Sequence, residues 1–150
     1  MPTNIYLANN HIILPLSNTE IMKISFFVWL VKLIAVVILL QTLFFKFTAA
    51  PESVYIFSTF GIEPFGRIGS GIVELIASVL ILIPRTTLLG AVLGFGTMVG
   101  AILSHVLVLG IEVQNDKGLL FILAVITLLC CLLLIYWERN KLAKWIALKI

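Results

Sequence analysis

Chemistry in this sequence points first to one carboxylate. Glu74 stands in the run 67–84, RIGSGIVELIASVLILIP, among isoleucine, valine and leucine. Arg67, Ser70, Gly71, Glu74 and Ser78 recur at steps of three or four, so on a helix they share one face. An acid at a bilayer centre costs about 2.5–3.5 kcal/mol on insertion scales, so it must face protein, a water-filled cavity or a partner charge. Two further ionisable residues interrupt apolar runs, Lys46 and His105. At about 1.5 Å of rise per residue, Lys46 lies roughly 6 Å, Glu74 roughly 10 Å and His105 roughly 6 Å below one membrane surface. Gln41 lies a little deeper on the first run. Lys46 opposite Glu74 would neutralise two buried charges, and His105 would titrate near neutrality according to its surroundings. The candidate ligand-binding or proton-handling residues are therefore Lys46, Glu74, His105, Gln41 and Arg67. The sequence names no catalytic residue. A plainer reading stands beside this one: an ion pair that fixes helix register, a snorkelling Lys46, a core His105, and Arg67 as an interface anchor.

The elements that must position these residues are membrane spans. Of 150 residues, 61% are hydrophobic and 11% charged, with mean hydropathy +1.19, whereas a soluble domain carries about 25% charged residues. The expected fold is all-α, one integral membrane domain of four helices in an up-down bundle. The spans are read as 24–50, 67–83, 87–109 and 118–137. Residues 1–23 form a tail, or an extension before a start at Met22; His11 in it is read as exposed. Lys32 is read as snorkelling to the near interface. Residues 53–60 form one or two surface turns between the first two spans. Gly90/Gly94 and Gly96/Gly100 are small-residue pairs on opposite sides of the third helix. Together they predict a helix packed closely on two sides, and the second pair also permits a homodimer. Residues 138–150 are read as a basic amphipathic tail on the membrane surface, centred on Trp145.

Charge sets orientation. Lys23, Arg85, Arg139, Lys141, Lys144 and Lys149 gather on one side; the other has Arg67 and Lys117, with Lys46 near it, and four acids, Glu52, Glu63, Glu112 and Asp116. The positive-inside rule then puts both termini in the cytoplasm. The net charge of +3 is a topology signal; no nucleic-acid footprint is present. Cys130 and Cys131 are adjacent within an apolar run, read as small core or lipid-facing residues, with neither CxxC nor metal-ligand spacing. No metal site is expected.

The run LQTLFFKFTAAPESVYIFSTFGIEP, with its Lys46-Phe47 pair and Gly61-x-x-Pro64, resembles the first-helix end and following loop of the DoxX family. GIVELIASVLILIPR resembles the family's second helix, and His105 before a polar loop and a fourth apolar helix fits as well. The resemblance covers about residues 24–137. It implies a four-helix membrane domain, a bacterial inner-membrane location and a link to quinone- or sulfur-coupled redox systems, with no intrinsic cofactor but a borrowed quinone or a partner redox subunit. The chain departs from any thiol-redox relative in lacking CxxC. Two functions compete: an accessory membrane subunit of such a redox system with an outer-leaflet pocket, or a non-enzymatic assembly or stabilising protein whose Lys/Glu/His cluster is structural. A proton-linked carrier ranks below both, for want of broken helices or an inverted repeat.

Overall fold

The computed structural model describes residues 7–8, 11–12 and 18–147, with side chains described at 22 and over 24–139. Two short strands, β1 (Leu7–Ala8) and β2 (His11–Ile12), pair antiparallel. The helices are α1 (Asn18–Phe47), α2 (Pro51–Thr59), α3 (Phe65–Leu82), α4 (Thr87–Ser104) and α5 (Leu119–Ala147), with a π-helical turn, His105–Leu109, extending α4. Among the described residues four helices are long and apolar enough to cross a membrane: Ile24–Phe47, Phe65–Leu82, Thr87–Leu109 and Leu119–Arg139. The chain divides into two compact units, Met1–Leu30 and Val31–Ile150, and the core and cavity described below belong wholly to the second.

The helix ends follow from local chemistry. The first span stops at Phe47 and not at Ala50. Ala49 takes a left-handed φ of 53°, Ala50 N–H donates to Phe45 O and Ala49 N–H to Lys46 O, the two bonds of a Schellman cap. Pro51 then holds Ala50 extended and supplies the first residue of α2, which is longer than the one or two turns expected at 53–60. The connection from α3 to α4 is sewn by hydroxyls: Thr86 Oγ1 donates to Leu80 O at 3.0 Å and Thr87 Oγ1 to Ile81 O at 3.1 Å.

Packing uses the small residues. Gly90 lets the backbones of α3 and α4 meet, since a Cβ there would lie 2.5 Å from Ile81 N and 2.7 Å from Ala77 O. Gly94 makes room for Cys131 Sγ on α5, 3.0 Å from the same imagined atom. Both cysteines are free and buried, so they are core residues. Within the chain α4 is packed closely on one side and not on two: Gly96 and Gly100 have open space outside them. Lys32 corrects the expectation of a snorkelling end: it is 4% exposed, and its Nζ donates to Thr87 Oγ1 at 2.8 Å. No break separates the fourth span from residues 138–147, because α5 continues unbroken to Ala147. Beyond Arg139 the side chains of the expected basic tail, Trp145 among them, and that of His11 lie outside the described residues. So does most of the chain before Met22.

Adding a methyl group at Gly90 forces backbone apart, so Gly90→Ala should lower stability by about 1–3 kcal/mol or more. Gly96→Ala should be neutral. Thermal unfolding of the two purified variants in detergent checks the contrast; equal melting temperatures would mean that α3 and α4 do not touch at Gly90.

Candidate functional site

Glu74 is 2% exposed, on the face of α3 that also buries Arg67, Gly71, Ala77, Ser78 and Ile81. Its partners come from α1. Lys46 Nζ lies 2.5 Å from Oε1 in an ion pair, and Thr42 Oγ1 donates to Oε2 at 3.1 Å. Lys46 and Thr42 are four residues apart on one helical face, so α1 offers a cation and a hydroxyl to the same carboxylate. The Lys46 ammonium also sits 5.9 Å from the centroid of Phe57 on α2.

Arg67 does not join this group and is not a solvent-facing anchor. It is 7% exposed, pairs with Glu63 Oε1 at 2.7 Å through both Nε and Nη2, and donates through Nη1 to Lys46 O. The carbonyls at a helix C-terminus lack intrahelical donors, and a guanidinium is suited to capping one. Arg67 thus ties the end of α1 to the start of α3 and holds Lys46 from behind. Gly71 lies against Phe47 beside it.

His105, at the first position of the π-helical turn, is 4% exposed. Its Nδ1 lies 2.9 Å from Gly110 O, and its ring stands edge-on to Phe121 with centroids 5.8 Å apart. A carbonyl only accepts, so Nδ1 carries a proton, and Nε2 is left for another partner.

Lys46, Glu74 and His105 line one cavity of about 520 Å³. Gln41, exposed, lines it too; Arg67 does not. Its walls are apolar, from residues such as Phe45, Ile56, Phe57, Phe60, Met98 and Leu123. Several polar residues of its lining are not among the candidates from the sequence; three of them are Thr42, Asp116 and Ser53. Thr42 is legible only once Glu74 is known to face α1. Asp116 stands three residues before α5, a position where an acid caps a helix, and its carboxylate accepts from the N–H groups of Val113, Gly118 and Leu120 at 2.8–3.0 Å. Burial pushes its pKa up, but those three backbone donors, helped by the nearby His105, outweigh it and hold it below the ordinary 3.8. The third is Ser53 of α2, 6% exposed, whose hydroxyl has no partner among the described residues. A buried hydroxyl left unpaired costs about 1–3 kcal/mol.

No protein-family model matches the chain, and no curated protein and no solved structure matches it significantly.

Removing Lys46 while Glu74 stays should destabilise the protein by about 3–5 kcal/mol, the usual result of stranding one member of a buried pair. Lys46→Met with Glu74→Leu should recover most of that loss, which a double-mutant cycle on unfolding measures; additive effects would mean the two groups do not interact. Asp116 gives a pH signature. Its folded pKa is depressed, so its contribution is complete above 3.8 and is lost as pH falls through the lower folded value. The stability advantage of the wild type over Asp116→Asn should therefore hold down to about pH 4 and shrink below it. An advantage that instead faded between pH 7 and 5 would contradict the capping role.

Proposed function

We propose that the chain is a four-span, up-down membrane protein of the DoxX type in a bacterial inner membrane, with both termini cytoplasmic. In this reading its cavity takes the head of a quinone or a small sulfur species, and the protein serves as an accessory subunit of a redox system, with a partner subunit supplying electrons. The observation that carries the reading is the convergence of Lys46, Glu74 and His105, from three helices, on one apolar cavity.

These residues suit such a ligand. Quinone supplies the electron chemistry when bound; the chain supplies contacts and proton positions. Lys46 spends one N–H on Glu74 and keeps others to donate to a carbonyl oxygen. His105, with Nδ1 committed to Gly110 O, keeps Nε2 for a hydrogen bond with a ligand oxygen. Glu74 holds the ammonium in place and balances its charge. The walls accept an apolar ring or tail.

A second reading draws on a different fact: both Glu74 oxygens already have partners within the protein. A self-satisfied network suits a structural clamp in a protein that holds or assembles another membrane protein, or that pairs with a second copy through the open Gly96/Gly100 face.

Titration of the purified chain with decylubiquinone should give saturable binding that Glu74→Gln weakens by about tenfold, the effect of disturbing one charge-assisted contact. Wild-type protein that binds no quinone, with Glu74→Gln lowering only abundance and melting temperature and a partner co-purifying, would favour the clamp.

A further inference from the structure

Helical hydroxyls in this protein mostly satisfy themselves. Thr59, Ser78, Ser104 and Thr127 each donate to the carbonyl four residues back, at 2.8 Å. Ser53 cannot do the same. It is the third residue of α2, and four residues back stands Ala49, turned into the left-handed region by the α1 cap. Nor does it take the carbonyl three residues back, as Thr42, Ser70 and Thr97 do; its hydroxyl has no partner among the described residues, in a residue more than nine-tenths buried that lines the cavity.

The charges around the cavity are already committed. Lys46 and Glu74 cancel each other at 2.5 Å. Asp116 is held by three backbone N–H groups. Glu52 lies in the first turn of α2, where a helix N-terminus balances an acid. An anionic head finds no uncommitted cation there and meets these three carboxylates. A cationic head meets the Lys46 ammonium over Phe57. What remains unspent is hydrogen bonding: the Ser53 hydroxyl, the spare Lys46 N–H groups, His105 Nε2 and the Gln41 amide.

We propose that the cavity binds an amphiphile with an uncharged, oxygen-bearing head, and that Ser53 is its hydrogen-bonding contact on α2. This rests on reading the cavity as a ligand site and narrows what that ligand is. A carbonyl or hydroxyl oxygen takes the donors from Lys46 and, after rotation about its χ1, from Ser53; a ligand hydroxyl pairs with His105 Nε2. The chain or ring behind the head lies along Phe45, Phe60 and Leu123. Quinols and monoacylglycerols share this chemistry, and the test separates them.

The full chain in detergent is tested with four radiolabelled probes: decylubiquinone, monolauroylglycerol, dodecanoate and dodecyltrimethylammonium. Saturable binding is measured above micelle partitioning, for wild type and Ser53→Ala. At least one uncharged probe should bind at least about tenfold more tightly than either ion, in line with the cost of burying an unpaired charge. Ser53→Ala should weaken the uncharged probe by roughly three- to tenfold, the worth of one hydrogen bond, with the ligand-free melting temperature unchanged or raised. Either ion binding as tightly, no probe binding, an affinity indifferent to Ser53→Ala, or a melting temperature that falls in that variant would each overturn the proposal. Monolauroylglycerol binding through Ser53 without decylubiquinone binding would uphold the proposal and remove the quinone reading. Decylubiquinone binding that ignores Ser53 would do the reverse.

Discussion

A carboxylate in an apolar helix has to be answered by another part of the protein, and much of the second unit is arranged around that answer. Glu74 is met by Lys46 and Thr42 on α1. Because α1 and α3 each bring a fixed helical face, the pair sets both the rotation of the two helices and their offset along their axes. A one-residue slip would swing Lys46 through about 100° and leave two charges in hydrocarbon. Such a contact adds specificity more than net stability, since a well-packed apolar pair often does as well. Arg67 reinforces the same junction from outside the cavity by capping Lys46 O.

The junction has a consequence for α2. The chain leaves α1 through a Schellman cap, and Pro51 starts the next helix at once. α2 thereby carries Glu52, Ser53, Ile56 and Phe57 to the cavity opposite Glu74. On the far side, the π-helical turn carries His105, and the loop behind it is pinned by Asp116 to the start of α5. A π-helical turn gives a wider local backbone, and such turns are frequent at functional sites. The cavity thus has two walls made of span ends and connections, with helices α1, α3 and α4 behind them. Functional residues in membrane proteins commonly gather where irregular backbone is sheltered by protein.

The parts legible in the sequence were those that depend on a single helix. The spacing of Arg67, Gly71, Glu74 and Ser78 gave the buried face of α3, and Gly90 with Gly94 gave the tight side of α4. Four apolar runs gave the four candidate spans. The parts not legible depend on two elements at once. Lys32 reads as a snorkelling residue until Thr87 is known to stand beside it. Ser53 reads as an ordinary polar residue on a surface turn; its burial follows from where α2 lies. Arg67 reads as an interface anchor because the carbonyl it caps belongs to another helix. Asp116 could have been found by its position before an apolar run, and was overshadowed by the polar loop around it.

The contact between Lys46 and Glu74 can be observed directly in a bilayer. The full chain, labelled with ¹⁵Nζ-lysine and ¹³Cδ-glutamate, is reconstituted in lipid and examined by solid-state NMR with nitrogen–carbon dipolar recoupling. The account predicts a lysine–glutamate cross-peak that disappears in both Lys46→Met and Glu74→Gln. A spectrum without a cross-peak sensitive to both substitutions would show that the acid of α3 does not meet the base of α1, and the cavity would lose the pair that defines it.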